Sequence, residues 1–472
     1  MAGAPTPENA ASDEPQSAKK TKPRAPRRKT TNAAEASVSE STPQAELPAP
    51  PAAVDSTQPE PPNTQPDVAA PVAQPDKPQA QPKPGRRLPT ALLFDPTMLL
   101  HQPPADFPDQ PERMRFAMEM IDALITEGTI PRELVLREPV RQATELELAS
   151  IHDYTYINKV KKAVEAQTRD DVESGAQGSH EVASEVYVSA GSWEAALLAA
   201  GAGLVGLDAI AQGRARNAYA LARPPGHHAR PKGGMGFCIF NNIAIAARYA
   251  QNHYGWRKVL IVDYDVHHGN GTEEAFYDDP DVVYFSTHQF PWYPGTGASG
   301  DRGVGAGLGA TINVPLPARS GWSEYDAIFR QVLWPVADRM RPDIIMLSAG
   351  FDAHWRDPLG EMLLSTADFS DLTLEVIEMA DRYCEGRLLV VQEGGYHYPA
   401  VAQCASTVLV ALTGSDGIVD NLGQPPQRNS RWNEEAIIHA LYELHGLEHY
   451  RRKPRRTLTR APEPPRPDPQ NS

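Results

Sequence analysis

The chain has 472 residues, with 45 Lys and Arg against 60 Asp and Glu, a formal net charge of −15, and three cysteines. The acidic balance excludes a protein that coats nucleic acid through a general basic surface. One local exception, Lys19-Lys-Thr-Lys-Pro-Arg-Ala-Pro-Arg-Arg-Lys29, reads as a solvated charge run, with a weak nucleic-acid contact or, in a eukaryotic host, a nuclear signal as the alternatives. Cys238, Cys384 and Cys404 are too few and too odd in number for a disulfide scaffold. The N-terminus has no apolar signal-peptide core, and no apolar run reads as a membrane span. The expectation is a soluble cytoplasmic protein.

Residues 1–88 are rich in Pro, Ala, Gln, Ser and Thr and nearly devoid of large apolar side chains, so the expectation is a disordered tail. Residues 451–472, with Pro454, Pro462, Pro464, Pro465, Pro467 and Pro469, read the same way. Residues 89–450 between them read as one α/β domain. Deletion of everything before Arg86 is accordingly expected to leave turnover of a small substrate within about twofold. Loss of most activity in a soluble, folded truncation would contradict that.

The first expected strand is Leu88-Pro-Thr-Ala-Leu-Leu-Phe-Asp95. His101 to Pro111 is too proline-rich for regular structure. A helix follows, with Met114, Ala117, Ile121 and Leu124 on one stripe. Arg113 sits at its start, where a cation gains nothing from the helix dipole, so solvent exposure is the default and a specific partner the alternative. Thr144 to Ala166 reads as a helix with Leu146, Leu148, Ile151 and Tyr154 inside, and Thr168 to Gly178 as a surface loop. Ser192 reads as an N-cap for an Ala- and Gly-rich helix running through Gly206.

From there a pattern repeats: an apolar run, then a polar, glycine-bearing end. Asn217–Ala222 runs into Arg223-Pro-Pro-Gly-His-His228, and Val259–Val262 into Asp263-Tyr-Asp-Val-His-His268. Val282–Phe285 runs into Ser286-Thr-His-Gln289, Ile344–Leu347 into Ser348-Ala-Gly-Phe-Asp-Ala-His354, and Leu388–Gln392 into Glu393-Gly-Gly-Tyr-His397. Amphipathic helices over Asn241–Tyr254, Tyr325–Arg341, Thr366–Tyr383 and Ala400–Leu412 separate most of them. This alternation implies a single three-layer domain, a mainly parallel sheet covered by helices on both faces. Parallel strands carry their ligand sites beyond their carboxyl ends, so five such ends point to one active site.

Asp265 and His267 are two residues apart and share a face of an extended backbone, a half-site for Zn²⁺. A third ligand must come from another strand end, and Asp352 is the best candidate. The cysteines do not cluster, which disfavours a structural zinc site. The adjacent His227 and His228 are candidates for proton transfer, each needing an orienting partner, for which Asp263 and Asn270 are available. Tyr396, after Gly394 and Gly395, can offer its hydroxyl to an oxyanion. Together these groups suit metal-assisted hydrolysis of a carbonyl compound, most simply an amide.

Six motifs carry a resemblance: Arg223-Pro-Pro-Gly-His-His-Ala229, Gly236-Phe-Cys-Ile-Phe-Asn-Asn242, Asp263-Tyr-Asp-Val-His-His-Gly-Asn-Gly-Thr272, Pro294-Gly-Thr-Gly297, Ser348-Ala-Gly-Phe-Asp-Ala353 and Glu393-Gly-Gly-Tyr396. Over most of Leu93 to about Leu412 the chain resembles the histone deacetylase family, in the arginase/deacetylase fold, and within it the class II-like and bacterial amidohydrolase branch. The resemblance implies Zn²⁺ held by Asp265, His267 and Asp352, with His227 and His228 beside it and His228 as general base and then acid. It implies that Asp263 orients His227, that Asn270 orients His228, and that Tyr396 donates to the oxyanion. Phe237 and Tyr293 match the aromatic walls of an acetyl-lysine tunnel, with Gly236 and Gly395 beside the substrate; from the residues alone both aromatics read as core. A structural K⁺ is implied at the carbonyls of Asp263, Asp265 and His267 with Ser286 and Thr287. Arg113 matches a buried arginine below the site.

Two features depart from the family pattern. The loop His101–Pro111 aligns poorly with the usual His-Pro-Glu opening, and no rim acid that grips the substrate backbone can be assigned, Asp170 and Asp171 being the candidates. The expected activity is zinc-dependent removal of acetyl groups from acetyl-lysine. The alternatives are hydrolysis of acetylpolyamines or other small amides, an inactive acyl-amine binding protein, and an arginase-like enzyme with two Mn²⁺. The last needs further carboxylates where His268-Gly-Asn270 stands. The expected partner is an acetylated lysine peptide or amine, without membrane or nucleic acid at the core; the oligomeric state is open.

Overall fold

Short apolar runs pair into one eight-stranded sheet, and the alternation of their side chains determines its two covers. The strands are β1 (Thr90–Leu93), β2 (Val135–Arg137), β5 (Asn217–Ala220), β6 (Val259–Asp263), β7 (Val282–Gln289), β8 (Thr311–Leu316), β9 (Ile344–Ala349) and β10 (Leu388–Gln392); β3 (His180–Ala183) and β4 (Val186–Val188) form a separate antiparallel pair. The order across the sheet is β2-β1-β5-β10-β9-β6-β7-β8, with every pairing parallel. The computed structural model describes residues 87–417, 420–426 and 434–450, all within one compact unit, Gln74–Ser472. Residues 1–86 and 451–472, which hold the two tails expected to be disordered apart from Arg87 and Leu88, lie outside the described residues.

Leu260 and Val262, Ile345 and Leu347, and Leu388 and Val390 enter one core; Val259 and Ile261, Ile344 and Met346, and Leu389 and Val391 enter the other. Period-two alternation with both sets apolar is what a doubly covered parallel strand requires. Each such side chain contributes roughly 1.5–3 kcal/mol by burial. The first core is closed by the helices Glu112–Glu127, Thr366–Tyr383 and Tyr398–Thr413 and by the run Trp322–Met340, whose middle turn, Phe329–Leu333, is a π-helix. The second is closed by Tyr154–Ser174, Ser192–Ala211 and Asn242–Tyr254. The three-layer α/β architecture expected from the alternation is therefore present.

Several local expectations are corrected. Thr144–Ala166 is not one helix: Thr144 and Glu147 form a capping box over the short helix Glu145–Leu148, and a second helix begins at Tyr154. The break lies where Asp153 N donates to Pro231 O at 2.9 Å and the His152 ring accepts from Asn241 N at 2.9 Å, tertiary bonds that outbid the local ladder. Leu146 and Tyr154, expected inside, are 75% and 52% exposed. The second helix continues through Ser174 to a left-handed Gly175, so most of the expected loop from Thr168 is helical; its charged residues are good helix formers on a solvent face. Strand β7 runs on through Gln289, so Ser286 to Gln289 belong to the strand rather than to its turn.

Gly191, not Ser192, caps the helix that follows. That helix, Ser192–Ala211, is long and apolar enough to cross a membrane, contrary to the reading that no run is, yet 83% of its apolar window is buried inside the fold. Its small residues let it lie close to neighbours: a Cβ on Gly201 would stand 1.8 Å from Arg141 O.

Candidate metal centre and its tunnel

The carboxyl ends of the four central strands, β5, β10, β9 and β6, converge on one spot. Just beyond β6, Asp265 and His267 meet Asp352 from the segment after β9, and their ligand atoms all lie within 4.8 Å of one another. The His267 Nδ1 is 3.1 Å from Asp265 Oδ1 and 3.1 Å from Asp352 Oδ2. Backbone amides fix the carboxylates: Gly394 N donates to Asp265 Oδ2 at 2.9 Å, His267 N to Asp265 Oδ1 at 2.9 Å, and Val266 N to Asp352 Oδ1 at 2.8 Å. Gly394 must be glycine, because a Cβ there would sit 2.2 Å from Asp352 Oδ2.

Two buried carboxylates this close call for a cation. Burial, and then the Asp265 charge, push the Asp352 carboxyl upward. Burial works against a charged His267, yet its bonds to Asp265 and Asp352 raise its pKa to about 10, the response of an imidazole set between two carboxylates, and the ring sheds that proton when it ligates a metal. One imidazole and two carboxylates are the three-ligand set of an open zinc site, so the donor chemistry fits that ion. Among the described residues this is the one cluster with metal-ligand geometry.

The two histidines beyond β5 stand beside this cluster and differ in partner. His227 Nδ1 lies 3.1 Å from Asp263 Oδ2, and His228 Nδ1 lies 2.8 Å from Asn270 Oδ1. Burial opposes charge on His227, but Asp265 and Asp263 outweigh it and raise its pKa to about 10. For His228, burial and then the positive charges of His227 and His267 hold the pKa well below the ordinary value. The pair therefore splits into a cation and a neutral imidazole. Tyr284 braces Asp263, its hydroxyl donating to Oδ2 at 3.1 Å. Glu393 accepts from Gly226 N at 2.7 Å and His227 N at 3.1 Å, and burial pushes its carboxyl up to about 7.

A cavity of about 340 Å³ leads from the surface to His228 and His267. Gly236, Phe237, Tyr293 and Tyr396 line its wall, so both aromatics read as core from the residues alone are wall residues. Phe237 and Tyr396 meet edge to face at 5.5 Å, and Tyr293 lies edge-on to His228 at 5.3 Å. Burial holds the Tyr396 hydroxyl well above the ordinary phenol range, so it remains a proton donor. Gly395 is not among the residues lining the cavity, and its carbonyl accepts from Arg113 Nε at 2.5 Å. Asp263 and Ser286 are neighbours across β6 and β7, and Thr287 Oγ1 donates to Asp263 O at 3.4 Å.

Arg113 corrects the exposure default. It is fully buried, donates to Glu393 O at 2.5 Å, is ion-paired to Asp109, and lies 4.8 Å from the Tyr396 ring centroid. Asp170 and Asp171 lie on the helix Tyr154–Ser174 and are not among the residues lining the tunnel. The carboxylate at the mouth is Glu185, in the turn between β3 and β4, facing Tyr293. The irregular loop before Arg113 contributes Phe107 and Pro108 to the same mouth, and Trp292, Pro358 and Leu359 complete it. Sequence reasoning missed Glu185, Phe107, Tyr284 and Glu393 as site residues. Only Glu393 carried a signal, its place at the head of a quoted motif.

Comparison with known proteins agrees with this geometry. The family model described as "Histone deacetylase domain" matches residues 107–412. The chain is 40% identical over 291 residues to "Histone deacetylase 14, chloroplastic" of Arabidopsis thaliana, covering 60% of this chain and 67% of that one. It is 35% identical over 345 residues to the "Histone deacetylase-like amidohydrolase" of Pseudomonas aeruginosa, covering 69% and 86%. The solved HDA15 HD domain superposes with a TM-score of 0.66 at 34% identity, covering 77% of this chain and 95% of that one. A parallel sheet with this site at its carboxyl edge, together with these matches, shows that the chain belongs to the histone deacetylase family and is a hydrolase of the deacetylase and amidohydrolase kind.

Proposed function

We propose that the protein is a zinc-dependent deacetylase that hydrolyses the acetyl amide of acetyl-lysine in peptides. The observation that carries the reading is the tunnel: a cavity of about 340 Å³ with aromatic walls, Phe237 and Tyr293, that reaches His228 and His267, the latter part of the cluster with Asp265 and Asp352. Aromatic walls suit an extended alkyl chain with one amide at its tip. Zinc bound by the three ligands would polarise the amide carbonyl and activate the attacking water.

The rest of the chemistry falls to the protein. His228, neutral and held by Asn270, takes the proton of the attacking water through its free Nε2 and passes a proton to the departing amine. Asn270 orients the ring without stabilising its charged form by an opposite charge, which keeps His228 a ready donor once protonated. His227, its pKa raised by Asp265 and then by Asp263, lends positive charge to the developing oxyanion. Tyr396 donates its hydroxyl to the same oxygen. Potassium is part of the proposal on narrower ground: Ser286, Thr287 and the Asp263 carbonyl supply oxygen donors that suit a hard cation.

Glu185 is the proposed rim acid, accepting from backbone amides of a bound peptide. Glu185→Ala is expected to raise KM for an acetyl-lysine peptide roughly 3–10-fold, the loss of one exposed hydrogen bond, with kcat little changed. A small acetyl-lysine coumarin with no flanking peptide should not notice the change; equal losses on both substrates would remove the assignment.

A second reading, an acetylpolyamine hydrolase, draws on the same residue, since a distal ammonium could pair with Glu185. The remaining mouth residues Phe107, Trp292, Pro358 and Leu359 are apolar and favour the peptide. The deciding experiment is a turnover panel of acetyl-lysine peptides, acetylpolyamines and longer acyl-lysines. A kcat/KM at least tenfold higher for an acetylpolyamine would replace the peptide reading.

A further inference from the structure

The segment Glu393–His397 carries Tyr396 on a backbone loosened by two glycines, with Gly395 at φ +112°. The next helix begins only at Tyr398. A buried guanidinium and a buried carboxyl group grip this segment. Arg113 takes its carbonyls, those of Glu393 and Gly395. Asp357, 6% exposed, takes its amides: Oδ2 accepts from Tyr396 N at 2.6 Å and from His397 N at 3.0 Å. The other oxygen, Oδ1, accepts from Leu359 N at 3.0 Å. Leu359 lies in the tunnel mouth, and its carbonyl accepts from Trp292 Nε1 at 2.9 Å.

The family resemblance accounts for a buried arginine at Arg113; no step of the chemistry above uses Asp357. Its Oδ1 bond is the local turn that many aspartates make. The two bonds from Oδ2 are different, because they reach 39 and 40 residues along the chain. They fix the amide planes on either side of the Tyr396 Cα, and so the direction in which its ring leaves the backbone. We propose that Asp357 is the positioning residue that holds the Tyr396 hydroxyl at the reacting carbonyl and couples it to the Leu359 rim of the tunnel. This rests on Tyr396 being the oxyanion donor.

Asparagine is the sharpest probe. It keeps the shape but has one acceptor oxygen, so its NH₂ must face either Leu359 N or the amides of Tyr396 and His397, donor against donor. In the full-length zinc enzyme, Asp357→Asn is expected to lower kcat on an acetyl-lysine peptide about 10–100-fold, the scale of a reacting group displaced by about 1 Å. KM, zinc content and hydroxamate affinity should stay close to wild type. In a Tyr396→Phe background the same change should cost less than about threefold more, because the hydroxyl it positions is already gone.

A kcat for Asp357→Asn within about threefold of wild type overturns the proposal. So does an equal loss in both backgrounds, which would make Asp357 a general support of the loop. If Tyr396→Phe is itself nearly silent, the oxyanion assignment fails first and takes the proposal with it. Should Asp357→Asn not fold, hydrogen exchange on the wild-type enzyme decides. The amides of Tyr396 and His397, read from peptides over residues 394–399, are expected to exchange slowly, and exchange at the rate of an unprotected chain overturns the proposal.

Discussion

Asp352→Asn is expected to leave a folded protein that holds little zinc and turns over almost no substrate. Asp352 supplies one of the two carboxylates at the centre, and its Oδ1 already accepts from Val266 N, so an amide can keep that bond. What the amide cannot keep is the negative charge on the other atom, 3.1 Å from His267 Nδ1. Losing an outer partner of a metal ligand costs roughly 10–100-fold in affinity or activity, and losing the ligand's charge should cost more. Metal analysis of active wild type should give about one Zn²⁺ per chain, the open three-ligand kind. Chelation should abolish turnover and added zinc restore it in wild type only. Two tightly bound transition metals per chain would point to the arginase-like alternative; full zinc occupancy and normal turnover in Asp352→Asn would remove Asp352 from the ligand set.

Tyr396→Phe is expected to lower kcat about 10²–10³-fold, the typical cost of one oxyanion donor. As water adds to the amide, the carbonyl oxygen gains nearly a full charge, and a second donor is needed beside the metal. Tyr396 lines the cavity, and burial raises its hydroxyl well above the ordinary pKa, so at working pH it holds its proton. The hydrogen bond is strongest in the transition state, so its loss belongs in kcat rather than KM. The variant should keep its zinc and bind a hydroxamate, which chelates the metal directly. A hydroxyl that merely packs against Phe237 would make the exchange almost silent, and a kcat within about threefold of wild type, below the usual range for such donors, would refute the role.

Much of the fold was legible because fully buried parallel strands are written as unbroken apolar runs. Val259–Val262, Ile344–Leu347 and Leu388–Val391 are such runs, and each became a central strand. Strand β8 was not legible. It carries Thr311, Asn313 and Pro315, and proline is tolerated there because β8 is the sheet edge, a position no local pattern announces. The helix expected over Thr144–Ala166 broke for a related reason. Its periodicity was real, but tertiary bonds from Asp153 and His152 to residues some 80 positions away redirected the chain.

The candidate site divides along the same line. By itself the sequence determined the chemistry: which strand ends carry acids and imidazoles, the two-residue spacing of Asp265 and His267, and the motifs that brought in Asp352 and Tyr396. The motifs are local facts, but the extended backbone expected to put Asp265 and His267 on one face is not there: both stand past the end of β6 in a bend, where His267 N turns back to donate to Asp265 Oδ1. Only the tertiary structure decided what surrounds that chemistry. Arg113, exposed by default from the residues alone and buried only by the resemblance, is buried because it bonds Glu393 and Gly395, 280 and 282 residues away. Glu185, not Asp170 or Asp171, reached the mouth because a small hairpin folds over the tunnel. Asp357 met Tyr396 because the ends of β9 and β10 lie side by side. Hydrogen bonds between distant segments impose no period on the residues that make them, so one chain read by itself carries no trace of which donor meets which acceptor.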